Sequence, residues 1–330
     1  MFVLILVFAI VLSLFFSFWN GFTDAAYSIS TIIGSRTLKP IEAVTIATIG
    51  SLIGMLLGSA VALTIGTGIV SENVMSGELI ISALIGALIF DVVSSWIYSL
   101  PISETHVLIG GLVGAGIAAG GLNVVKVQGI INKVIIPMIT FPFVAIILAF
   151  FIGCIIIRLF RNFTASKVNK YFKRLQIISS LFFSITEGTN GAQKMMGIMT
   201  ILLVYYGFLS EFTVPFLVIL SSYITMSLGI FLGGWKVVKT MATKITRLKP
   251  YQGFSAELVG SIVLGSTALL GIPMSSTHVA NGSIMGVRMC QRIKAVKWIT
   301  TRKIVLAWIL SMPLSAVLSY IIFNIIKLFV

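Results

Sequence analysis

The sequence predicts an all-α polytopic membrane protein: an inverted-topology repeat with broken helices and two helical hairpins. Three observations carry that reading. Hydrophobic residues make up 58% of the chain against 10% charged, and the mean hydropathy is +1.11, a balance foreign to water-soluble domains. Apolar runs long enough to cross a bilayer recur along the chain, without the alternating polarity of an outer-membrane barrel. A polar cluster behind a proline, "LPISETHVLIGG" (100–111), returns as "GIPMSSTHVANG" (271–282).

The elements follow in order. The opening run "FVLILVFAIVLSLFFSFW" has no basic leader and no A-x-A cleavage site, so it reads as a retained helix. Basic residues gather in three connections: six from Arg158 to Arg174, five from Lys236 to Lys249, and six from Arg288 to Lys303. The positive-inside rule puts these on the cytoplasmic side, where they meet membrane lipid. No basic segment is interleaved with aromatics, which speaks against nucleic acid as a partner despite the net charge of +14. With those loops inside, 11–33 runs inward, 43–65 returns, and the loop 66–78 carries Glu72 and Glu78 but no basic residue. Segment 79–100 descends to the first tip, 103–121 rises, and 134–157 crosses inward. The second half reverses the signs: 177–203 outward, 214–234 inward, 255–272 to the second tip, 275–287 back, and 304–325 out.

The chain thus divides into a first repeat, 1–157 with its hairpin at 79–121, a basic cytoplasmic linker at 158–176, and a second repeat, 177–330 with its hairpin at 255–287. Both termini fall outside, in the cell membrane. Inverted repeats of this kind belong to secondary transporters, whose substrate sites lie near the midplane at interrupted helices.

Four polar clusters fall inside apolar segments: the two tips, "WNGFTDAAYS" (19–28) and "TEGTNGAQK" (186–194). Gly21, Thr23, Asp24 and Ala25 align with Gly188, Asn190, Gly191 and Ala192. Pro101, Ser103, Thr105 and His106 align with Pro273, Ser275, Thr277 and His278. At each tip the proline ends one helix, and Ser103 or Ser275 takes the N-cap of the next. Two helix starts facing each other, with serine and threonine hydroxyls, make an anion cradle that needs no lysine or arginine. Ser103, Thr105, Ser275, Ser276 and Thr277 are therefore the expected anion ligands. Asp24, Asp91, Glu104 and Glu187 are carboxyls placed in lipid, where charge is costly and marks function. Asp24 is the expected cation ligand, helped by carbonyls freed where glycine breaks the helix. Lys194 is expected to neutralise Glu187. His106 and His278 read as hydrogen-bonded structural residues, Cys154 and Cys290 as packing residues.

These residues resemble the inorganic phosphate transporter (PiT) family along nearly the whole chain. That family carries a duplicated G-x-N-D-A-x-N/Q signature and a duplicated P-x-S-T-T-H tip, matched here by "GFTDAAYS", "EGTNGAQK", "LPISETH" and "GIPMSSTH". "ITRLKPYQGFSAEL" and "VKWITTRKIVLAWILSMP" extend the similarity. The resemblance implies phosphate uptake coupled to sodium or protons, with the cation at Asp24, Asn190 and Thr23, phosphate at the tips assisted by Gln193, and a homodimer. It implies no cofactor beyond the coupling ion. The sequence departs from the family pattern at Thr23, Tyr27, Gly191, Glu187, Glu104 and Asp91. One Asp-Asn pair is split between Asp24 and Asn190, which does not transfer simply to two sodium sites.

Glu104 beside an anion would be repelled unless it carried a proton or paired with a cation. That favours an anion able to share a proton, such as phosphate, over sulfate, the substrate of some relatives of the same fold. Glu104, Glu187 and Asp91 are accordingly candidates for proton or coupling roles. An intramembrane serine enzyme fits poorly: Thr105-His106 and Thr277-His278 are sequence neighbours and point to different helix faces. A passive channel would want a polar stripe along several helices rather than closed cradles.

Overall fold

Apolar sequence in lipid becomes helix because no water is present to satisfy the backbone. The computed structural model describes residues 2–97, 102–233, 248–296 and 298–329. It builds α1 (Phe2–Gly34), α2 (Pro40–Ile53), α3 (Ala60–Thr67), α4 (Gly77–Asp91) and α5 (Glu104–Gly120). A short α6 (Val127–Ile130) leads into α7 (Ile136–Leu159), followed by α8 (Ala165–Tyr205) and α9 (Phe216–Leu232). The chain closes with α10 (Pro250–Leu269), α11 (Ser276–Met289) and α12 (Trp298–Ile326). Among the described residues β structure is limited to one isolated bridge, Val70 with Val125. Pro101 and most of the basic segment 236–249 lie outside the described residues.

Among the described residues, five stretches are long and apolar enough to cross a membrane: Phe2–Gly34, Pro40–Leu57, Gly77–Ile97, Val127–Leu159 and Thr301–Ile326. The outward faces are apolar, with Phe143, Ile147 and Phe151 of α7 and Ile309, Val317 and Ile321 of α12 exposed. In lipid such faces cost nothing to leave uncovered.

Three expectations are corrected. The span 43–65 is broken: α2 tightens into a 3-10 turn (Gly54–Leu57), Gly58 adopts φ +93°, and α3 starts afresh at Ala60. Gln193 of α8 bridges that break, its Nε2 donating to the Gly58 carbonyl at 2.9 Å and its Oε1 accepting from Val61 N–H at 2.7 Å. Conversely, α1 and α8 run unbroken through their signatures, so no backbone carbonyls are freed there. Their glycines serve contact instead. A Cβ on Gly188 would lie 2.6 Å from Ser51 Cα, and one on Gly21 would strike the Met226 carbonyl. Finally, the linker 158–176 is mostly helix, since α8 begins at Ala165 and carries the basic residues on its first turns.

Packing is repeated between the halves. The hairpin α4–α5 lies on α12, at the far end of the chain, and the hairpin α10–α11 lies on α7 of the first half. Helix α1 packs on α9 as α8 packs on α2 and α3. The contacts use the same residues twice. Gly110 and Gly114 of α5 press on the backbone of Met312 and Ala316, and Gly282 and Gly286 of α11 press on that of Pro142 and Ile146. Each pair is a small-xxx-small face against a helix carrying an internal proline, Pro313 or Pro142. At the end of α11, Cys290 meets Cys154 of α7 with sulfurs 2.8 Å apart.

Gly229 of α9 has no room for a side chain, since a Cβ there would strike the Phe18 carbonyl. Gly229→Val is expected to cost about 1–3 kcal/mol by overpacking, read as a lower unfolding temperature in detergent, while Leu228→Val on the exposed face leaves it unchanged.

Candidate functional site

Each tip starts a helix deep in the protein. Ser103 precedes α5 in extended geometry and accepts from His106 N–H at 3.3 Å, a cap bond. Ser275 holds the same place before α11, yet its hydroxyl makes no cap bond and has no hydrogen-bond partner among the described residues. The tips cross and hold each other. Thr105 Oγ1 donates to the Met274 carbonyl at 3.2 Å, and Thr277 Oγ1 donates to the Ile102 carbonyl at 2.7 Å. Equivalent threonines thus satisfy equivalent carbonyls of the opposite loop. Two helix N-termini converge on one point as a consequence.

Helix α1 delivers adjacent residues to different tips. Thr23 Oγ1 donates to Glu104 Oε1 at 2.8 Å, and Asp24 Oδ1 accepts from Ser276 Oγ at 3.2 Å. Helix α8 approaches from the other side with Glu187, Asn190 and Lys194 on successive turns of one face. Lys194 Nζ donates to Thr105 Oγ1 at 3.2 Å. The cradle therefore contains a cation after all, contrary to the expectation of an anion site without lysine, and Lys194 reaches the first tip rather than simply serving Glu187. Asp24 feels the charges of Glu104, Glu187 and Lys194, and Asp91 neighbours Glu104, Ser95 and Trp19. A widened π turn (Val92–Ile97) follows Asp91 directly. Thr23, Asp24, Asp91, Glu104, Glu187, Asn190, Lys194 and Ser276 are all buried, none more than 6% exposed.

Of the expected ligands, Ser103, Thr105, Ser275, Ser276, Thr277, Thr23, Asp24 and Glu104 come together at the crossing. Asn190 and Glu187 line its α8 side, and Asp91 its α4 side. Gln193 stands apart, with both ends of its amide committed to the break between α2 and α3. His106 is tied to the Trp308 carbonyl (3.2 Å) and Ser311 (3.3 Å), and its ring lies 4.6 Å from that of His278, which stacks on Trp308. The histidines buttress the crossing from behind.

Sequence reasoning passed over Asn20 and Glu257 and gave Lys194 a partner on its own helix. Asn20 lies one turn before Asp24, and its buried amide, like that of Asn190, has no partner among the described residues. Lys194 lies one turn beyond Asn190; helical spacing was the available signal for both. Glu257 of α10 is buried and takes hydrogen bonds from Thr31 (2.6 Å), Gln176 (3.1 Å) and Ser179 (2.5 Å), tying α1, α8 and α10 together. Its signal was a carboxyl in "GFSAEL".

A groove of about 570 Å³ among α7, α11 and α12 touches the crossing only at His278. Its walls are chiefly Ile139, Phe143, Ile146, Met285 and Ile309, which cannot replace the hydration of an oxyanion. Hydroxyls, carboxyls and the Lys194 ammonium meet instead at the tips.

Apolar helices bundled around a buried, charged and polar centre define the class of membrane transporters. The chain belongs to the phosphate transporter family, matching it over residues 20–319. A relative from Rhizobium meliloti, named "Probable low-affinity inorganic phosphate transporter", is 42% identical over 96% of this chain and 94% of its own length. One of the same name from Bacillus subtilis is 34% identical over 97% and 96%. A solved structure, "The sodium-dependent phosphate transporter", superposes with a TM-score of 0.88 over 99% of this chain and all of the other at 24% identity, which shows a common fold. The family is one of transporters, not enzymes.

Thr277→Val leaves the buried Ile102 carbonyl without its donor. The expected loss is about 1–3 kcal/mol, seen as a lower unfolding temperature, with Thr277→Ser close to wild type.

Proposed function

We propose that this chain is a secondary active transporter of inorganic phosphate across the cell membrane, coupled to Na+ or H+ and working by alternating access between two inverted halves. The observation that carries the reading is the reciprocal crossing of the tips, Thr105 to Met274 and Thr277 to Ile102, with Lys194 on the same threonine. Two helix N-termini, the hydroxyls of Ser103 and Ser275, and one ammonium offer donors from several directions, as a tetrahedral oxyanion requires. The hydroxyls of Thr105, Ser276 and Thr277 join them by releasing the Met274 carbonyl, Asp24 and the Ile102 carbonyl that they hold here. The names of the relatives from Rhizobium meliloti and Bacillus subtilis agree with phosphate as the anion.

Cation and anion sites are contiguous. Asp24 holds Ser276, and Thr23 holds Glu104, so a cation at Asp24, Thr23 and Asn190 sits against both tips. That contact couples the two solutes: a cation among the carboxyls lowers the cost of bringing an anion beside them. Glu104, at the first tip, has to be neutral when phosphate is bound and is the natural place for a proton. Sharing a proton also separates phosphate from sulfate, which has none to share. Exchange of the hairpins between halves makes a rocking motion move both tips together, each carried on a helix of the other half. In this reading the repeats are 1–157 and 177–330, both termini lie outside, and the protein is a homodimer.

Proteoliposome uptake of labelled phosphate, with sodium, pH and sulfate varied independently, tests the proposal. Accumulation driven by a cation gradient, little inhibited by sulfate, is the expected outcome; equilibration without accumulation would make the protein a channel. Uptake by wild type is expected to rise as external pH falls, and Glu104→Thr to flatten that dependence; identical profiles would remove Glu104 from the coupling. Asp24→Asn is expected to cut gradient-driven accumulation by at least about tenfold, equivalent to roughly 1.4 kcal/mol of lost cation binding, while leaving the fold intact.

A further inference from the structure

The duplicated signature would by symmetry provide two equivalent cation sites, one on α1 and one on α8. The structure treats them differently. On α1 the acid is present as Asp24, bonded to the second tip. On α8 the equivalent position is Gly191, and the space its side chain would need is filled: a Cβ there would lie 2.8 Å from Met226 Sδ and closer still to Met226 Cε. An acid there would have to displace the Met226 thioether, which occupies its place. One turn further along α8, Lys194 turns inward, 2% exposed, and places Nζ 3.2 Å from Thr105 at the first tip. Its charge reaches Asp24 and Asp91, and with Glu104 and Glu187 these make four buried acids around one base.

Resting on the transport reading above, we infer that the Lys194 ammonium is a built-in replacement for one of two coupling cations, leaving a single exchangeable cation site beside Asp24. The remaining site has its own mark. The amides of Asn20 and Asn190, 0% and 2% exposed, have no hydrogen-bond partner among the described residues. Both lie on the packed surfaces of α1 and α8, Asn20 one turn from Asp24 and Asn190 one turn from Lys194. Buried amides without partners are rare, and their carbonyl oxygens with Asp24 are the ligand type a hard monovalent cation takes. A lysine differs from a bound ion in one decisive way: it cannot leave. It supplies the positive charge that phosphate needs at the first tip, but it cannot be carried through, so each phosphate travels with one fewer cation than a symmetric site would require.

The test counts cations. Phosphate is titrated calorimetrically into the purified full-length chain across a series of Na+ concentrations and in buffers of different ionisation enthalpy, which together give the Na+ and H+ taken up per phosphate. Beyond the proton that neutralises Glu104, wild type is expected to take up about one cation, Lys194→Gln about two, and Lys194→Arg, which keeps the fixed charge, about one. Thermal unfolding shows which variants are folded. Should Lys194→Gln not fold, Gly191→Asp with Met226→Ala, which restores the acid and empties its space, is expected to raise the count to about two. A wild-type count of two overturns the inference. So does a folded Lys194→Gln that binds phosphate more weakly with an unchanged count, which would make Lys194 an anion ligand only. A wild type that binds no phosphate at all refutes the transport reading itself, a different result from either.

Discussion

The architecture depends on one constraint: two helix starts buried far from water have to satisfy each other's loops. Inside lipid an unpaired carbonyl costs several kcal/mol, and loops survive there only if the protein supplies the partner. Here the partner is the equivalent residue of the other tip, Thr105 for Met274 and Thr277 for Ile102. The exchange brings the halves together face to face. Hairpins seated on the opposite half, through Gly110 and Gly114 on α12 and Gly282 and Gly286 on α7, keep the tips at that point. At the crossing the Ser275 hydroxyl is left without a partner among the described residues.

Charge sets the second condition. Asp24, Asp91, Glu104 and Glu187 are buried with Lys194 among them, and a cluster so acidic cannot accept an anion unaided. In the proposed transport, the requirement for a companion cation follows from this charge balance, and Thr23 and Asp24, bonded to one tip each, link the two solutes. The histidine pair and Trp308 hold the crossing from behind.

Much of this was legible in the sequence, because lipid imposes a simple rule on composition and duplication repeats each signal. The two tips and Ser103 as a cap followed from spacing, whereas the contact of Asp24 with Ser276 of the second tip did not. The rest depended on partners distant in sequence. The break at Gly58 is hidden inside an apolar run, since the residue that supports it, Gln193, lies on α8. Gly21 and Gly188 suggested helix breaks but serve close packing, a distinction made only by Met226 and Ser51 opposite them. Lys194 passed as a partner for Glu187 because helical numbering shows neighbours on the same helix and not a threonine on another. Hydropathy marked 158–176 as a connection, though its basic residues sit on the first turns of α8, where charge and helix coexist.

The most direct measurement is the position of a bound oxyanion. Arsenate, a tetrahedral analogue of phosphate, can be located by the anomalous scattering of arsenic in crystals of the full-length chain. The account predicts a single strong peak between the tips, within hydrogen-bonding reach of Thr105, Ser275 and Lys194. A peak confined to the basic cytoplasmic segments, with none at the crossing, would contradict it.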